Sequence, residues 1–150
     1  MSSAKKYKVL HIYVDGAFST NYPDRYAGAF ILVNPESGEV IEAMNGCGTK
    51  AVGMRNVAGE LSATMRGVQY GMRFAEKIVI FYDYQGIEDW ITGAWACRKK
   101  ETRAYFNFMF RYIHPVVRVE FVKVKAHSGD MYNEMVDNLA KKALAINKEW

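Results

Sequence analysis

Residues 8–15 read Lys8-Val9-Leu10-His11-Ile12-Tyr13-Val14-Asp15, and Gly16 follows. Successive side chains of a strand point to opposite faces, so Leu10, Ile12 and Val14 share one face and Val9, His11, Tyr13 and Asp15 the other. A second run, Lys77-Ile78-Val79-Ile80-Phe81-Tyr82-Asp83, is dense in apolar residues and suits a central strand covered on both faces. Each run ends on an aspartate.

Working outward, a strand is expected near 27–34, then a hairpin turn at Pro35-Glu36-Ser37-Gly38 and a third strand at 39–44. Gly46 and Gly48 are read as opening the loop that follows. A helix is expected over 56–75, because Leu61, Met65, Val68, Met72 and Ala75 recur at steps of four and three. Glu60, Gly67 and Gly71 fall on the flank of that stripe. Two interior glycines weaken a helix, so they point to close backbone packing. Beyond Asp83, helices are expected at 85–95 and 101–113, the second stopped by Pro115. A strand at 117–125 and a helix at 133–147 close the chain, the helix burying Val136, Leu139, Ala140, Ala143 and Leu144. Hairpin strands first and helical crossovers later imply an α/β fold, a mixed five-stranded sheet flanked by helices. The crossover helix lets the fourth strand lie parallel beside the first.

The 150 residues fit one domain, with half the chain hydrophobic and 24% charged. The opening residues do not resemble a signal peptide, and no apolar run is long enough to span a bilayer. No membrane partner and a cytoplasmic location are therefore expected. Cys47 and Cys97 form no C-x-x-C pair and read as free thiols. The net charge of +4 permits a polyanionic partner without requiring one.

If the first and fourth strands are parallel neighbours, Asp15 and Asp83 emerge at one edge of the sheet, the edge where ligands bind in open α/β folds. Glu60 sits in the early part of the crossover helix, and Asp137 lies beside the apolar stripe of the last helix. Singly, each has a plainer role: a turn residue, a helix-dipole acid, a helix cap and a rim acid. Together the topology aims all four at one place. Clustered carboxylates repel, and burial raises that cost, so a cation must offset it. Oxygen-only ligands favour Mg²⁺ or Mn²⁺ over zinc. Two such ions about 4 Å apart would clamp an in-line displacement at phosphorus, one activating water and the other stabilising the leaving oxygen.

Five strings carry a family resemblance. They are Ile12-Tyr13-Val14-Asp15-Gly16-Ala17, Met54-Arg55-Asn56-Val57-Ala58-Gly59-Glu60-Leu61, Ile80-Phe81-Tyr82-Asp83-Tyr84-Gln85-Gly86-Ile87, Val124-Lys125-Ala126-His127-Ser128-Gly129-Asp130 and Asn133-Glu134-Met135-Val136-Asp137-Asn138-Leu139-Ala140. In this order, over most of the chain, they resemble ribonuclease H of type 1. The resemblance implies a nuclease that cuts the RNA strand of an RNA·DNA hybrid, leaving 5′-phosphate and 3′-hydroxyl ends. It matches Asp15, Glu60, Asp83 and Asp137 to the family's metal-binding acids, with Asp15 bridging two Mg²⁺ ions. His127 matches a loop histidine that helps protons or products leave, a role its ordinary pKa suits. Asn56 and Gln85 match residues that contact the hybrid's minor groove, where the 2′-hydroxyl distinguishes RNA from DNA. Asn133 matches a residue near the active site. Asn56 and Asn133 also read as helix N-caps. Arg55 stands where several members have threonine and suits a phosphate contact.

Binding beyond the metals should be mostly to the backbone. Arg98, Lys99, Lys100 and Arg103 are candidates to lie along the DNA strand, with Trp90 or Trp95 packing on sugars; a solvated charge run and core tryptophans are the alternatives. The basic connection here is shorter than in some members. The chain also begins almost at its first strand, which leaves no room for an N-terminal hybrid-binding domain. A single domain with its core at about 7–145, acting as a monomer, is expected. The rival readings are a DNA-processing nuclease of the same fold and a non-catalytic hybrid- or RNA-binding module.

Overall fold

A computed structural model describes residues 5–49, 54, 56–125 and 129–150, with Asn56 described by its backbone alone. Its elements are β1 (Tyr7–Ala17), β2 (Arg25–Val33), β3 (Val40–Thr49), α1 (Asn56–Gly71), β4 (Ala75–Tyr82), α2 (Gly86–Thr92), α3 (Lys100–Phe108), β5 (Arg118–Lys123) and α4 (Met131–Ile146). The sheet order is β3-β2-β1-β4-β5, with β1–β2 and β2–β3 antiparallel and β1–β4 and β4–β5 parallel. The expected mixed five-stranded sheet is therefore present, and β4 lies parallel beside β1.

The alternation of β1 splits two cores across the sheet. Leu10, Ile12 and Val14 pack with Phe30, Leu61, Val68 and Ile80 on the side of α1 and α3. Tyr13 packs with Ala29, Ile31, Val136, Ala140 and Leu144 on the side of α4.

Three expectations change. First, β3 runs on to Thr49, paired with β2 as far as Arg25, so Gly46 and Gly48 lie inside the strand. They serve close approach there: a side chain on Gly46 would run into Trp150, and one on Gly48 into the Tyr26 ring. Second, α1 ends at Gly71 and Ala75 already belongs to β4. The glycines sit on the face turned to the sheet, where a Cβ on Gly67 would lie 3.0 Å from Ile12 Cγ2. Met65 and Met72 are only partly buried. Leu61 and Val68 of the expected stripe are buried, so the buried face of α1 takes in both that stripe and the glycines beside it. Third, α4 begins at Met131, capped by Asp130, whose carboxylate accepts the Asn133 N–H at 2.9 Å. Asn133 is therefore not the N-cap.

Of the two middle helices, α2 is shorter than its sequence span and the second ends at Ile113 as expected. Gly93, at φ 87°, ends α2 at Thr92. Beyond Phe108, α3 widens into a π-helical turn, Met109–Ile113, just before Pro115. Its inner side buries Tyr105, Met109 and Ile113, while Phe110 and Tyr112 are exposed.

Candidate active site

The site begins with the register of the two central parallel strands. Tyr13 pairs with Phe81, so two residues further on Asp15 and Asp83 come level at the carboxyl end of the sheet. Close packing brings the third acid. A Cβ on Gly59 would overlap the Ala27 carbonyl and one on Gly28 would overlap the Gly59 carbonyl, so α1 rides directly on the β1–β2 backbone. Glu60, the next residue, is thereby pressed against the end of β1. Oxygens of Asp15, Glu60 and Asp83 lie within 4.8 Å of one another. Asp137, in the second turn of α4, stands outside that trio, but lies close enough to Asp15 to raise its pKa.

Burial makes the cluster electrostatically costly. Asp15 is 5% exposed and Glu60 1%. Burial, the largest cause, raises the Asp15 pKa to about 7; the Asp83 charge and the contact with the Asp137 carboxylate add to the rise, while Glu60 and the Gly16 N–H oppose it. That N–H donates to Asp15 Oδ1 at 2.9 Å. Burial also pushes Glu60 well above its ordinary value, with the Asp15 and Asp83 charges acting the same way. Glu60 Oε2 is buried with no hydrogen-bond partner among the described residues. An orphaned carboxylate oxygen facing two further carboxylates is a ligand set waiting for charge compensation. The donors are all oxygen, which fits a hard divalent cation.

Asp137 has a second partner: Lys141 Nζ lies 2.9 Å from its Oδ2, one turn further along α4. Lys141 was missed in the sequence, although its i+4 spacing from Asp137 was visible there.

The remaining candidates divide. Asn133 lies one turn before Asp137, 4% exposed, with its Oδ1 lacking a partner among the described residues. Gln85 follows Asp83 by two residues, at the N-cap position of α2, and its Nε2 donates to Asp89 Oδ1 at 2.9 Å. That amide end is thus engaged within its own helix. Arg55, His127 and the Asn56 side chain lie outside the described residues.

Beside the acids, Tyr84, Trp90 and Trp95 form an aromatic trio with ring centroids 5.5–6.0 Å apart. Tyr84 and Trp90 line a cleft of about 290 Å³ together with Met54, Val57, Arg98 and Lys99. Trp95 is 39% exposed, so it is no core residue. Tyr84 follows Asp83 directly in the chain, which sets the cleft beside the acids, and burial and then the Glu60 charge raise its pKa.

The RNase H family model matches residues 7–145. The chain belongs to the RNase H family. With membership comes the enzyme class, a ribonuclease H. A ribonuclease H of Syntrophomonas wolfei is 29% identical over 143 residues, covering 91% of this chain and 97% of that protein. Among solved structures, RNase H1 of the halophilic archaeon Halobacterium salinarum NRC-1 superposes with a TM-score of 0.77 at 24% identity, covering 92% of this chain and 98% of that one. LC11-RNase H1, solved in complex with an RNA/DNA hybrid, shares the fold at a TM-score of 0.70 and 16% identity, covering 90% of this chain and 99% of that one. The RNase H fold expected from the five strings is therefore established. No helix among the described residues is long and apolar enough to cross a membrane.

Proposed function

We propose that this RNase H family chain hydrolyses the RNA strand of RNA·DNA hybrids, using divalent cations held by Asp15, Glu60, Asp83 and Asp137. One observation carries the reading: three carboxylates with oxygens within 4.8 Å of one another, one bearing a buried oxygen without a partner among the described residues. Mg²⁺ suits this donor set and Mn²⁺ is its substitute, with two ions per site. Bound there, they supply Lewis acidity at the scissile phosphate and a nucleophile at neutral pH.

The protein's own groups define the rest. Asp15, which interacts with Glu60, Asp83 and Asp137, would hold the cations together with them and is the least replaceable of the four. Glu60, gripped by close helix-to-sheet packing, keeps its carboxylate oriented with little freedom. Arg98 and Lys99 in the aromatic cleft face the DNA strand as phosphate contacts, and the exposed Trp95 edge packs on its sugars. Asn56, Gln85 and Asn133 contact the hybrid, Gln85 after giving up its bond to Asp89. Arg55 meets a phosphate, and His127 moves protons or releases product. The ends left are 5′-phosphate and 3′-hydroxyl. The enzyme works as a single domain, a monomer and a cytoplasmic protein.

A substrate panel tests the reading. Labelled RNA·DNA hybrid, RNA duplex and DNA duplex are incubated with Mg²⁺ or Mn²⁺, and the products are mapped with phosphatase and ligase. Cutting confined to the RNA strand of the hybrid, with ligatable 5′-phosphates, is expected. Cutting of DNA duplex in its place would assign the site to DNA processing.

A further inference from the structure

The four acids differ in setting. Asp15 and Glu60 are buried and Asp83 is half-buried, while Asp137 pairs with Lys141. The Asp137 side chain is 23% exposed and that of Lys141 61%. The ammonium therefore reaches the carboxylate from the solvent side, on a flexible stem that swings away at small cost. Lys141 Nζ bonds Asp137 Oδ2 at 2.9 Å, so a cation that takes this oxygen as a ligand meets an ammonium already there. Two positive charges cannot share one carboxylate oxygen without repulsion.

We propose that Lys141 is a positioning residue that gates Asp137. It holds the carboxylate at the mouth of the site and competes with a divalent cation for it. Recruitment of Asp137 to a cation bound by Asp15, Glu60 and Asp83 then requires Lys141 to let go. Lys141 thereby sets the divalent-cation concentration at which the full four-acid site assembles. The inference rests on the proposed metal-binding role of the acids.

Calorimetric titration of Mg²⁺ into the full metal-free chain, without nucleic acid, tests it on the wild type, K141Q, K141R and D137N, and on K141Q combined with D137N. K141Q should bind Mg²⁺ about fivefold more tightly, the size of an exposed ion pair. K141R should behave as the wild type, and the gain should vanish in the D137N background. Unchanged or weaker binding by K141Q overturns the gate. So does an equal gain without Asp137, which would mark a diffuse charge effect. Normal Mg²⁺ binding with an indifferent K141Q sinks the gate alone. A K141Q that binds more tightly, in an enzyme that leaves hybrids intact, sinks the proposed function alone. A wild type that binds no Mg²⁺ overturns both.

Discussion

Replacing Asp15 by asparagine should stabilise the metal-free protein while destroying its activity. Asp15 is 5% exposed, and its pKa rises from 3.8 to about 7 on folding. Between those values the folded state holds a proton that the unfolded state has released. Stability therefore falls as pH rises through this window, and above about pH 7 the loss from this group is complete. At roughly 1.4 kcal/mol per pH unit, the charged form of Asp15 costs the folded state about 4 kcal/mol. The asparagine side chain would carry no charge, keep an oxygen for the Gly16 N–H and present an amide to the neighbouring carboxylates. Part of the gain goes to relaxation of those neighbours, which leaves a net stabilisation of about 2–4 kcal/mol at pH 8. The assay is urea denaturation in EDTA at pH 4, 6 and 8. Asp15→Asn should gain at pH 8, gain less at pH 6 and gain almost nothing at pH 4. Adding Mg²⁺ at pH 8 should narrow the difference by stabilising the wild type more. A gain independent of pH, or a variant no more stable than the wild type at pH 8, would refute the reasoning.

Glu60→Gln should slow hybrid cleavage at least about 100-fold in single-turnover kinetics while circular dichroism stays unchanged, because its carboxylate serves charge and not packing. Lys99→Ala should raise KM for the hybrid several-fold with kcat little changed, and lower the slope of log affinity against log salt by about one. Gly59→Ala should cost about 3 kcal/mol or more in urea unfolding, since the new Cβ meets the Ala27 carbonyl, which the sheet cannot move away.

How far these features were legible in the sequence depended on whether a local pattern carried them. Asp15 and Asp83 were readable because a strand's period and its end are local, and parallel pairing of β1 and β4 then brings the two level. Glu60 and Asp137 needed their positions on helix faces, and became firm only through the strings around them. What seats Glu60 is the contact of Gly59 with Ala27, between residues far apart in the chain, and no periodicity announces it. On α1, Leu61 and Val68 were legible from their period, and Gly67 and Gly71 signalled close packing by being glycines inside a helix, but what they pack against was not local. The length of β3 was hidden because Gly46 and Gly48 resemble loop punctuation until Trp150 and Tyr26 are seen to need their space. Lys141 could have been found by asking what sits one turn beyond each acid on a helix. The role of Trp95 could not, because an aromatic residue beside basic ones reads equally as core or as surface until its exposure is known.

Cleavage of a hybrid labelled on its RNA strand, with and without divalent cation, tests the four-acid site most directly. The wild type should cut the RNA strand in Mg²⁺ or Mn²⁺ and stop in EDTA, and Asp15→Asn should leave the strand intact with either ion. Cutting that survives EDTA, or normal cutting by Asp15→Asn, would contradict it.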